Sequence, residues 1–219
     1  MIIEEIRRAV LDEIAVPRFE LTKQYLSVNT LVVKEGLPQI EQIDICEREQ
    51  TAEVYFPIVG EDYYFVIYLD LAPKVSVRFM GMEAGSRVYF SASSSVIDLE
   101  ELIQDLDRQP TETWQKGTRI PNRRAERFYE DSGFTYEING SNSGTADQKI
   151  AQLIDMLDGL SLDRVLNSQD IHREIQVVYY GYKDQMWGIH LEPDTLMKLA
   201  KLNAHIDIDL YASGPDLPE

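Results

Sequence analysis

Two runs rich in β-branched and aromatic residues, Ala52 to Pro57 and Tyr63 to Asp70, flank Gly60-Glu61-Asp62. Runs of that length each make one strand, and a glycine-containing turn between them predicts an antiparallel hairpin. Lys74 to Met82 and Arg87 to Ala92 flank Glu83-Ala84-Gly85-Ser86 in the same manner and predict a second hairpin. Tyr25 to Lys34, also rich in β-branched residues, reads as a strand. Ahead of the strands, Ile3, Ile6, Val10 and Ile14 recur at steps of three and four and share one helical face. Glu4, Glu5, Arg7 and Arg8 take the wet face, and Pro17 cannot continue the helix. A helix this short needs an apolar surface to lie on, and its own sheet is the expected one. Residues 1–86 therefore read as one helix followed by an antiparallel meander.

From residue 87 onward helices and strands alternate. Asp98 with Glu101, and Thr145 with Gln148, have the spacing of helix capping boxes. Leu99, Leu102, Ile103 and Leu106 form the apolar stripe of the first of these helices, which Pro110 stops. Ile150, Leu153, Ile154 and Leu157 form the stripe of the second. A polar loop runs from Thr111 to about Arg127, and Gly133 to Ile138 reads as a strand. Glu174 to Tyr182 and Met186 to Leu191 read as a hairpin across Lys183-Asp184. Pro193 suits the first turn of a helix carrying Leu196, Leu199 and Ala200, and His205 to Tyr211 reads as a closing strand. The expected fold class is α+β in two lobes, 1–86 and 87–219. The second has the order β-α-β-α-β-β-α-β, with its helices packed on a mostly antiparallel sheet.

The 219 residues carry a formal net charge of −17, with 8 basic against 15 acidic residues in 1–86 and 13 against 23 in 87–219. Such a field repels nucleic acid and anionic lipid and draws basic proteins, although acidity also serves simple solubility. No apolar run reaches 18 residues, and the opening residues lack the uncharged apolar stretch of a signal peptide. Cys46 is the only cysteine, so no disulfide forms within the chain, and the cytoplasm is the expected compartment.

The stretches RVYFSASS, DLEELIQDLDRQPTETWQKG, SGFTYEI and GIHLEPDTLMKLAKLNAHIDIDLYAS follow one another from Arg87 to Ser213. In these stretches, and most specifically in Pro110 to Gly117 and Ile206 to Tyr211, the chain resembles the uncharacterised bacterial family called domain of unknown function 4279. The resemblance implies a compact α+β domain and no particular activity. Small bacterial domains of this kind resemble, as a class, the immunity proteins of toxin systems.

The most unusual composition lies between residues 108 and 127. Arg108, Lys116, Arg119, Arg123, Arg124 and Arg127 sit there with only Glu112 and Glu126. Guanidinium groups present a planar fork suited to carboxylate or phosphate, and Trp114 offers a ring for stacking. These residues are candidates for meeting an acidic partner or a phosphorylated ligand; the competing reading is a belt of salt bridges to the chain's own carboxylates. Trp114 itself is expected to be a largely buried anchor for the loop. A second candidate is the closing strand, where His205, Asp207, Asp209 and Tyr211 share one face. Like-facing neighbours along a strand are about 6.8 Å apart, so three of them do not easily converge on one ion, and no metal or cofactor is expected.

Catalytic signals are weak. His172, His190 and His205 have no metal-ligand spacing, no G-x-S-x-G elbow is present, and Cys46 has acidic neighbours, which disfavour a thiolate. Asn139 to Gly144 precedes a helix but lacks the lysine of a phosphate loop. The expected function is non-catalytic binding of a protein with a basic surface, concretely an immunity protein neutralising a basic toxin. The alternatives are an enzyme acting on a small anionic substrate at the Arg-rich loop and a structural or adaptor protein.

Overall fold

The computed structural model describes residues 2–121, 125–138 and 143–218. The chain opens with α1 (Ile2–Ala15) and α2 (Glu20–Val28), then a small ladder of β1 (Val33–Lys34) and β2 (Leu37–Pro38). Four strands follow, β3 (Gln42–Cys46), β4 (Thr51–Pro57), β5 (Tyr64–Asp70) and β6 (Ser76–Glu83), as an antiparallel meander in that order. The second half continues with β7 (Gly85–Ser94), α3 (Leu99–Ile103), β8 (Glu112–Trp114), β9 (Ser132–Glu137), α4 (Ala146–Asp158) and α5 (Asp163–Asn167). It closes with β10 (His172–Tyr182), α6 (Pro193–Leu202) and β11 (His205–Ser213). Its five strands form a second sheet in the order β11-β10-β7-β9-β8, antiparallel except for the parallel pair β10 and β11. The class is α+β, as the alternating periodicities predict. No helix among the described residues is long and apolar enough to cross a membrane.

The hairpin expected across Gly60 is β4 paired with β5, with Phe56 opposite Phe65. The one expected across Gly85 does not form. β6 stays in the first sheet while β7 starts the second, so the chain changes sheets at Ala84. Gly85 permits the crossing, because a Cβ there would lie 1.8 Å from the carbonyl oxygen of Asp62. Tyr25 is not in a strand either. It is on α2, whose Thr22 and Tyr25, three residues apart, face inward and are buried. The β-branched residues around it carried a strand signal that tertiary packing overrides.

The reason α2 starts where it does lies in α1. Ile6 and Val10 bury the inner face of α1, Ile3 stays exposed, and the next inner position is Glu13, which is fully buried. Its Oε1 accepts the backbone N–H groups of Arg18 (3.1 Å) and Phe19 (3.2 Å) and the Thr22 hydroxyl (2.8 Å). Its Oε2 accepts Arg18 Nε at 3.1 Å. Glu13 thus does for the start of α2 what a side-chain cap does, since Phe19 at the cap position has no oxygen to offer.

In the second half, the stripe of α4 is buried as expected, and Thr145 Oγ1 accepts the N–H of Gln148. Asp98 occupies the cap position of α3 but makes no side-chain bond. Ser94 Oγ instead accepts the N–H groups of Val96 and Ile97, and Glu101 is drawn away to pair with Arg164. On α6, Leu199 and Leu202 are the buried positions, whereas Leu196 and Ala200 are exposed. Residues 186–191 do not form a strand. The edge of β10 expected to pair with them is occupied by β11, and the segment turns to the first sheet, where Gln185 Oε1 accepts Met82 N–H (2.8 Å) and Trp187 Nε1 donates to Met82 O (3.0 Å).

Burial alone would raise the Glu13 carboxyl, but the hydrogen bonds from Phe19, Thr22 and Arg18 outweigh it and hold the group below the ordinary carboxylate range. A carboxylate depressed in the folded state stabilises it above the unfolded value, about 4.3, and loses that contribution as pH falls through the folded value. Glu13→Gln should therefore destabilise the protein at pH 7 by about 1.5–3 kcal/mol and flatten the loss of stability below about pH 5. Urea denaturation at stepped pH measures both; a variant with the wild-type acid profile would contradict the role given to Glu13.

Candidate functional site

The second sheet has two unlike faces. Along β7, Val88, Phe90 and Ala92 are buried, while Tyr89, Ser91 and Ser93 between them are partly open. The buried set joins Ile175, Val177, Ile150, Leu153 and Leu199 in one core, so the helices cover that side. The other face carries Arg87 and Tyr89 of β7, Glu174, Gln176 and Tyr180 of β10, and His205, Asp207, Asp209 and Tyr211 of β11, brought side by side by the strand register. Rings pair across β10 and β11: His172 stacks on His205 at 5.1 Å and Tyr180 on Tyr211 at 5.5 Å. Arg87 forks onto Glu137 through two bonds of 2.8 Å and lies over the Tyr89 ring.

β11 is the edge of this sheet, and all nine of its residues are exposed. Asp209 accepts Gln176 Nε2 at 3.3 Å. Neither Asp207 nor Asp209 forms an ion pair among the described residues. Their negative charge is left facing solvent.

The expected polar loop is a β-arm on the opposite edge. β8 pairs with β9, setting Trp114 opposite Gly133, and the ladder continues through Gly117 N to Tyr129 O, Tyr129 N to Thr118 O and Ile120 N to Arg127 O. Trp114 anchors the arm but is half-buried, not largely buried. Its edge position leaves one side of the indole open. Trp114 Nε1 donates to Asp131 Oδ1 at 2.8 Å, and its ring stacks on Tyr129 and occupies the space a side chain at 133 would need. Lys116 donates through its backbone N to Ser132 Oγ and through Nζ to Ser95 O. Arg119 and Arg127 are exposed and take part in no ion pair among the described residues, so these two join no salt-bridge belt. Arg123 and Arg124 lie outside the described residues, as do positions 139–142 of the loop ahead of α4.

The fold therefore separates the two candidate groups. The arm and the acidic strand flank opposite edges of one sheet, four strand steps or roughly 19 Å apart. A polar cleft of about 580 Å³ at one end of the sheet spans the gap, lined among others by Ser93, Asp131, His172 and His205. Tyr89, His172, Tyr180 and Gln176 belong to this surface and carry no sequence signal of their own. Only the strand order brings them to the same face as Asp207 and Asp209 of β11.

Two further groups with altered proton affinity, Lys149 and Glu83, sit near the junction of the two sheets. Burial lowers the Lys149 ammonium to about 8 against an opposing pull from Glu137. Burial raises the Glu83 carboxyl although the Tyr68 hydroxyl donates to it. The hollow beside Glu83 holds about 50 Å³, room for a water and not for a substrate. Among the described residues no three His, Cys, Asp or Glu side chains converge as metal ligands.

The family described as domain of unknown function (DUF4279) matches residues 83–213. No curated protein and no solved structure matches the chain.

Trp114→Ala removes the anchor of the arm and should lower stability by about 1–3 kcal/mol, less than the cost at a fully buried tryptophan. Limited proteolysis should then cut between residues 115 and 128 first. Wild-type stability together with an uncut arm would contradict the anchoring role.

Proposed function

This chain belongs to the family described as domain of unknown function (DUF4279), and from that premise we propose that it is a non-catalytic binding protein whose partner is a protein with a basic surface. The observation that carries the proposal is the second sheet's face that the helices leave uncovered, which ends in an exposed strand bearing Asp207 and Asp209, neither of which forms an ion pair among the described residues. An open face and edge of this kind offer broad contact area beside the cleft at the end of the sheet, and charge at a rim speeds encounter with an opposite charge. The net charge of −17 acts in the same direction and turns nucleic acid and anionic membranes away. In its most concrete form the reading is an immunity protein of a bacterial cytoplasm that neutralises a basic toxin.

Against an enzyme stands the placement of Glu83, whose carboxyl is raised by burial and which sits beside a hollow too small for a substrate. One observation favours a second reading: Arg119 and Arg127 are exposed cations without ion pairs among the described residues, a feature suited to a small anionic substrate or an acidic adaptor contact.

The test is capture of the partner from the native cell and then its association rate with the full chain at rising ionic strength. The rate should fall by about tenfold or more between low and high salt, and Asp207→Lys with Asp209→Lys should slow it further at low salt. A salt-independent rate would contradict the proposal. Loss of binding on Arg119→Ala with Arg127→Ala, with the aspartates indifferent, would transfer it to the arm.

A further inference from the structure

Among the described residues β11 pairs with β10 on one side and with no strand on the other, and its nine residues are all exposed. In such a ladder alternate residues turn their N–H and C=O groups outward, so about half of this strand offers unpaired backbone. Its side chains alternate as well. Ile206, Ile208 and Leu210 lie beside Ile175, Val177 and Tyr179 of β10 and extend the row of the core, yet they are 42%, 42% and 63% exposed. On the opposite face stand Asp207 and Asp209.

We propose that β11 receives an extended segment of the partner as an added strand, and that this segment alternates Lys or Arg with aliphatic residues. The inference rests on the reading of the protein as a binder of basic proteins and adds the mode of contact. Backbone bonds along the edge supply affinity and alternate side chains supply specificity. The aliphatic residues of the incoming strand would extend the row of Ile206, Ile208 and Leu210, and its cations would face Asp207 and Asp209. Charge decides against the obvious competitor, a second copy of this chain. Full-length antiparallel self-pairing, with His205 opposite Ser213, sets Asp209 against Asp209 of the second copy. Sliding by two residues, to put His205 opposite Tyr211, sets Asp207 against Asp209 twice. Like charges directly opposite destabilise a strand pair, so the aspartates repel this chain's own edge and leave it open to a basic one.

The experiment uses the full chain and three labelled nine-residue peptides. One alternates Val with Lys, one alternates Val with Glu, and one has the Val/Lys sequence with every amide N-methylated, so that it keeps the charge but has no N–H to donate. The Val/Lys peptide should bind at least about tenfold tighter than either control, the worth of a few backbone bonds or charge pairs. Its amide chemical-shift changes should fall on residues 205–213 and the adjoining β10. Asp207→Lys with Asp209→Lys should transfer the preference to Val/Glu. Equal binding of the N-methylated peptide overturns the added strand and leaves the basic-partner reading standing. Equal binding of Val/Glu and Val/Lys overturns both. Shift changes confined to residues 112–128, or sedimentation showing a dimer that pairs through 205–213, also overturn the added strand.

Discussion

At Met82 the backbone of β6 turns its N–H and C=O away from β5, and both are satisfied by side chains from the other half of the molecule. Gln185 Oε1 accepts the N–H, and Trp187 Nε1 donates to the carbonyl. The same Gln185 oxygen accepts the hydroxyl of Tyr25 at 2.6 Å, so one amide holds α2, β6 and the end of β10 together. Tyr182, the last residue of β10, is buried among Tyr25, Tyr63 and Phe65 in the core of the first sheet. These contacts close the first sheet at Met82, because a sheet edge left with bare backbone is exposed to foreign strands. They also direct the segment after β10 toward the first sheet, which leaves the outer side of β10 to β11. The last strand is then an edge with no further strand beyond it among the described residues.

Much of the architecture was legible because most elements bury one face. The stripe of α4, the alternation in β7 and the β4–β5 hairpin each carry a local period that matches what they cover. The failures occur where a local signal competes with a distant partner. Tyr25 reads as strand but is claimed by the core between α2 and β5. The turn at Gly85 reads as a hairpin, but it is a crossing between sheets under the carbonyl of Asp62. Met186 to Leu191 alternates like a strand, yet Gln185 and Trp187 beside and within it are spent on Met82. Glu13 was invisible as a cap because its partners, Arg18, Phe19 and Thr22, lie beyond its own helix, in the connection to α2 and in the first turn of α2.

The candidate surface was half legible. Asp207 and Asp209 stand out by alternation on one strand, and Trp114 stands out as an aromatic in a polar run. Their neighbours do not, since His172, Gln176 and Tyr180 reach β11 only through the parallel pairing of β10 with β11, a connection sequence periodicity does not specify. The same topology separates the basic arm from the acidic strand. A chain that is acidic overall thus displays Arg119 and Arg127 beyond one edge of a sheet and Asp207 and Asp209 at the other.

Binding at this edge requires the outer side of β11 to be free. Native-state hydrogen exchange of the isolated protein tests this directly. Amides of β11 that point to β10 should be protected, and those between them, which point outward, should exchange nearly as fast as loop amides, giving an alternating pattern from 205 to 213. Uniform protection along the strand would show that the edge is already occupied, and would contradict a free edge on β11.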